Sequence, residues 1–174
     1  LVKTTLGVSL EEMGISLIKM DGTVFKHISD LFHEDRIRSY CSILTDLDEA
    51  LITSQNDSFA NAEYIKSQLN AQKSGANRKI ALDKYTVNNT FVCAFYAENT
   101  FETELVNYIE NVDLFKSVIE STYKTEAYCK DVLASISSKD KPTRYHHVLK
   151  FAKKIGKGWL AAEMIGCITT DNII

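Results

Sequence analysis

Proline is almost missing from this 174-residue chain, occurring once, and glycine occurs only seven times. That scarcity excludes collagen-like and low-complexity architectures and fits one globular domain with a substantial core. A dominant charge is also lacking: 20 Lys and Arg stand against 23 Asp and Glu, a balance of −3, so any attraction to nucleic acid must come from a local basic face. No apolar run approaches the roughly 20 residues that cross a bilayer, and the amino terminus lacks the basic-then-apolar order of a signal peptide. The expected compartment is the cytoplasm, with no membrane partner. Cys41, Cys93, Cys129 and Cys167 form no CxxC pair and no Cys/His cluster at zinc spacing, so they read as reduced, mostly packed thiols. No glycine-rich phosphate loop is present, and this stretch should not itself hydrolyse ATP. The chain opens on Leu1 inside a helix-like stretch, which is expected of a fragment of a longer protein.

What the chain does contain is an alternation of β-prone and helix-periodic segments. A helical "SLEEM" stops at Gly14, a residue suited to a left-handed cap, and Ile15–Met20 follows as a first expected strand. After the Asp21-Gly22 turn signal, Val24, Phe25, Ile28, Leu31 and Phe32 form one stripe of an amphipathic helix. Tyr40–Leu44 reads as a second strand, and Thr90–Tyr96 as a third that is apolar enough to be covered on both faces. Between them, residues 53–89 are polar, with Ser54, Asn56 and Asp57, a helical stretch from about Phe59 to Lys73, and a break at Ser74-Gly75-Ala76-Asn77; this reads as a surface insert. From Glu102 onward the pattern is helical nearly to residue 174, broken at Asn111-Val112-Asp113, at Ser135–Ser138 and at Pro142. Strands alternating with helices predict a three-layer α/β domain around a mostly parallel sheet, with ligands outside the carboxyl ends of the strands.

Three signals point to chemistry. In Thr45-Asp46-Leu47-Asp48-Glu49, two carboxylates two residues apart follow an expected strand; on extended backbone they face the same way and can share a hard cation of the Mg²⁺ type. Strand-end acids that merely cap the next helix are equally compatible with this motif. Asn99-Thr100-Phe101-Glu102-Thr103-Glu104 opens a helix after the third strand, either as a capped start with acids on the dipole or as a source of a further metal ligand in Glu102. Finally, the stretch 139–157 carries Lys139, Lys141, Arg144, Lys150, Lys153, Lys154 and Lys157 against Asp140 alone. Lys150, Lys153, Lys154 and Lys157 recur at helical spacing, so they form either a solvated face or a phosphate-binding one. Gly156 and Gly158 flank Lys157, a setting in which a side chain approaches a ligand closely. His146 and His147 are adjacent and diverge, and the aromatic residues read as packing residues rather than a stacking platform.

Taken in order, "SLEEMGISLIKMDGTVFKHISDLF", "SILTDLDEA", "GANRKIALDKYTVNNTFVCAFYAENTFETEL" and "GKGWLAAEM" span nearly the whole chain. This order resembles the Toprim domain of the OLD (overcoming lysogenisation defect) family of ATP-dependent endonucleases, which includes nucleases of anti-phage defence. The resemblance implies a sheet of about four parallel strands and a Mg²⁺ or Mn²⁺ site for phosphodiester hydrolysis. It assigns Asp46 and Asp48 to the metal-binding DxD, Glu102 to the acid after the next strand, and Lys157 to the late basic residue at the phosphate; Glu49 and Glu104 are weaker candidates. It also implies DNA as partner, with Arg144, Lys150, Lys153 and Lys154 on its backbone, and a homo-oligomer in the full-length protein. The family's first strand ends in a Glu-Gly motif that this chain lacks, and its amino-terminal ATPase domain, where ATP would act, lies outside the sequence. The segment 1–174 is therefore expected to be a partial Toprim-like domain, inactive alone. The rival reading is a nucleic-acid or protein interaction module without catalysis, whose binding needs no metal.

Overall fold

The computed structural model describes residues 2–20, 22, 25–51 and 62–168. In chain order its elements are α1 (Val2–Leu6), α2 (Lys26–Ser29), β1 (Cys41–Asp46), α3 (Ala62–Thr86), β2 (Val92–Ala97) and α4 (Phe101–Leu105). A 3₁₀ turn at Ile109–Asn111 then leads into α5 (Val112–Thr122), α6 (Glu126–Ile136), α7 (Lys141–Ile155) and α8 (Lys157–Cys167). The residues gather into two compact units: Ile18–Phe101, and Leu1–Leu17 with Glu102–Ile174.

The first unit is a βαβ arrangement. β1 and β2 pair in parallel, from Cys41 opposite Val92 to Asp46 opposite Ala97. Parallel neighbours need a long crossover, and α3 supplies it with 25 residues. The segment expected as a surface insert is thus the connection that makes the sheet parallel. Its Leu82 is buried with Ile43 and Val92, and Phe25, Phe32, Tyr85 and Tyr96 pack around them. The expected break at Ser74–Asn77 does not occur. Gly75 is buried in mid-helix because a Cβ there would run into the backbone carbonyl of Leu47, so the glycine marks a close approach rather than a turn. The expectation of a doubly covered third strand is also corrected: the strand-face partners Leu44 and Phe95 are 71% and 56% exposed.

Two further expectations change. Ile15–Met20 is not a strand; an apolar run becomes one only where a neighbour takes its backbone hydrogen bonds, and among the described residues the sheet has two strands rather than four. The "SLEEM" segment before it is a turn, not a helix. Ser9 and Glu12 bond reciprocally, Ser9 N to Glu12 Oε2 at 2.9 Å and Glu12 N to Ser9 Oγ at 3.1 Å, and Gly14 ends the turn at φ +69°. The amphipathic stripe after it is only a four-residue helix, in which Ser29 Oγ donates back to the carbonyls of Phe25 and Lys26. Asp21, Val24, Ser54, Asn56, Asp57 and Phe59 lie outside the described residues.

The second unit is helical. On α5, Val112, Phe115, Val118 and Ile119 are buried at a helical period and form one apolar face. That helix packs on α6 and α8, and α7 packs on both of these. Phe115, Ile119, Ile136, Tyr145, Val148 and Leu160 are among its most buried side chains. Asp140 caps α7 by accepting from Thr143 N at 3.0 Å, with Pro142 in the first turn where its missing N–H costs nothing. Gly156, at φ +91°, ends α7 and starts α8. Among the described residues no helix is long and apolar enough to cross a membrane.

Candidate functional site

Asp46 is the last residue of β1, at the carboxyl end of both parallel strands. Beyond it the chain keeps following β2: Leu47 N donates to Ala97 O at 2.8 Å and Glu49 N to Glu98 O at 2.9 Å. Asn99, buried, donates its side-chain amide to Glu49 O at 2.5 Å. Within this pinned loop Asp48 adopts φ +53°, a left-handed conformation that Asp tolerates better than most residues. The extended-strand argument for aligning the two carboxylates therefore stops at Asp46; a turn, not strand parity, sets the direction of Asp48.

Arg78, on α3, supplies a contact that the motif could not show. Its guanidinium donates to the Asp46 carbonyl and lies 3.3 Å from Asp48 Oδ2. The Arg78 side chain is only 12% exposed, whereas Asp48 is 42% exposed. The helix thus grips the loop from the inside while the Asp48 carboxylate stays accessible from outside. Arg78 sits one turn after Gly75, whose lack of a Cβ lets α3 come this close to the strand end. That pairing of a mid-helix glycine and an arginine three residues on was the available sequence signal.

In the helical unit, Glu102 lies in the first turn of α4 and Lys157 opens α8. Lys157 Nζ donates to Glu102 Oε2 at 3.1 Å, with the Glu102 side chain 12% and Lys157 47% exposed. Two of the four residues singled out from separate motifs are therefore in direct contact. Lys157 does not continue the face formed by Lys150, Lys153 and Lys154, because Gly156 separates the two helices.

Lys150, Lys153 and Lys154 of α7 are exposed. Lys154 donates to Tyr128 Oη at 2.9 Å; this hydrogen bond raises the Lys154 pKa and lowers that of Tyr128. Arg144 is different. It is buried, and its guanidinium donates to Val106 O at 2.8 Å, Ser138 O at 2.7 Å and Asn107 O at 3.4 Å, which commits it to the backbone of its own unit.

Among the described residues no group of three or more His, Cys, Asp or Glu side chains is placed to hold a metal ion. The donor types at the end of β1 nevertheless suit a hard cation: Mg²⁺ is commonly held by one or two carboxylates with water and substrate phosphates completing its shell.

No protein-family model matches this chain, and no curated protein matches it. Among solved structures it is similar to the C-terminal region of the Burkholderia pseudomallei OLD protein, with a TM-score of 0.59 and 22% identity over 98% of this chain and 81% of that one. The chain thus has the fold of an OLD C-terminal region, as its motif order led us to expect, with helices around a small parallel sheet.

Proposed function

We propose that this chain is the Toprim-like nuclease part of an OLD-type endonuclease, acting on DNA phosphodiesters with Mg²⁺ or Mn²⁺. The observation that carries the reading is the end of β1: Asp46 and the accessible Asp48 follow one strand of a parallel βαβ unit, at the edge where such sheets bind ligands. Asp46 and Asp48 would hold the cation; Glu102 is engaged by Lys157 within the helical unit. The metal would supply charge stabilisation at the phosphate and a more acidic bound water. Arg78 holds the Asp48 loop in place. Lys157 would offer its ammonium to the phosphate, and Lys150, Lys153 and Lys154 would bind flanking backbone. Arg144 serves the helical unit's interior.

In this reading ATP acts on another domain of the protein that carries the chain, and assembly into a homo-oligomer and a role in anti-phage defence belong to that whole protein. Nicking of supercoiled DNA that requires Mg²⁺ or Mn²⁺ and stops in chelator is the expected result. Metal-independent DNA binding without any nicking would favour an interaction module instead.

A further inference from the structure

α6 and α7 present facing stripes, Tyr128, Asp131, Val132 and Ser135 on one and His147, Lys150, Phe151 and Lys154 on the other, each at i, i+3, i+4, i+7. Between them, lined also by Tyr123 after α5, lies an open cavity of about 180 Å³. It is smaller than the roughly 300–1,000 Å³ of sites for drug-sized ligands, so it suits one planar ring rather than a whole cofactor. Its apolar walls are aromatic: Tyr123 and Tyr128 meet edge-to-face at 4.7 Å, and the Tyr123 and Phe151 ring centroids are 6.0 Å apart. Its polar rim is cationic on the α7 side. Lys154 Nζ lies 4.7 Å and 4.6 Å from the Tyr123 and Tyr128 ring centroids, and Lys150 and His147 lie along the same stripe.

Rings beside exposed ammonium groups match a nucleotide, whose base has a stacking face and whose phosphate takes a cation. We propose that this cavity binds a single nucleotide, with the base against the exposed Tyr128 and the phosphate on Lys150 and Lys154. Asp131 provides an acceptor for a base or sugar N–H or O–H and places one negative charge opposite the lysines, which disfavours a second phosphate at that side. The cavity deepens the DNA-binding side of the proposed function: it turns a basic face into a site that grips one unpaired base. It uses none of the metal chemistry, so the two readings fail separately.

The same nucleotide chemistry could come from a single strand or from a free mononucleotide. Both are tested with the whole chain in EDTA: anisotropy of a fluorescein-labelled dT12 strand, and amide shift changes in α6 and α7 on adding dTMP. We expect dT12 to bind, and Tyr128→Ala to weaken it about tenfold while Tyr128→Phe keeps most of the affinity. Lys150→Gln should lower the slope of log affinity on log salt by about one, and Lys116→Gln, on the exposed side of α5, should change little. Shifts with dTMP at α6 and α7 would identify free nucleotide as a ligand; their absence alongside Tyr128-dependent dT12 binding would identify a strand. Tyr128 is 41% exposed, so its truncation leaves the core intact, and far-UV circular dichroism verifies this. No binding of either probe, or dT12 binding that Tyr128→Ala leaves unchanged, overturns the proposal.

Discussion

Lys157 places its ammonium 3.1 Å from the Glu102 carboxylate, joining the first turns of two helices that lie 55 residues apart in sequence. An ion pair with one half-exposed member contributes little to stability, typically below about 1 kcal/mol. Lys157→Ala should therefore shift the urea midpoint only slightly. On the proposed function it should remove most DNA nicking. A large loss of stability with nicking unchanged would make Lys157 a structural residue.

Gly75→Ala separates a packing role from helix propensity. In an exposed helix interior the change stabilises by roughly 0.5–1 kcal/mol. At 75 the new methyl meets the Leu47 carbonyl, so we expect destabilisation of about 1–3 kcal/mol by urea unfolding, as in overpacked cores. It should also displace the loop carrying Asp48. An unchanged or raised midpoint would show that α3 does not approach the strand end so closely.

Arg144→Lys keeps the charge but not the fork that reaches three carbonyls. Leaving buried carbonyls unpaired should cost about 2–3 kcal/mol in thermal or urea unfolding. If DNA affinity falls while stability is kept, Arg144 is a DNA contact after all.

Acid should destabilise the fold through two aspartates. Hydrogen bonds from Lys79 and Tyr96 hold the Asp83 carboxyl below its ordinary value, and those from Thr143 do the same for Asp140. A carboxyl depressed in the folded state contributes stability above its unfolded pKa of about 3.9, and that contribution is lost as pH falls through the folded value. Stability should thus decline below about pH 4. Asp83→Asn and Asp140→Asn should each lower stability at neutral pH and flatten the acid limb of a stability-against-pH curve; parallel curves would contradict this.

How far the sequence revealed this molecule depended on whether a feature was local. Tyr40–Leu44 and Thr90–Tyr96 were legible as strands because β-branched and aromatic runs ended in turn residues, whereas Pro142, expected as a break, stands in the first turn of α7. Ile15–Met20 has the composition of a strand but pairs with no strand among the described residues, and strand pairing is a tertiary fact. The crossover role of α3 was hidden because a mid-helix "SGAN" has the composition of a loop, whereas its glycine answers to a carbonyl that is distant in sequence. For the site, the acids and Lys157 stood out by type and position. Their partners did not: Arg78 on Asp48, and the tyrosine pair beside Lys154, arise only when helices pack.

Nicking of supercoiled plasmid by the protein that carries this chain tests the central claim most directly, with Mg²⁺ or Mn²⁺ against chelator and with wild type beside Asp46→Ala and Lys157→Ala. We predict nicking that needs the metal and is lost in both variants. Metal-dependent nicking that survives in both would place the chemistry elsewhere and leave this chain a binding or structural module.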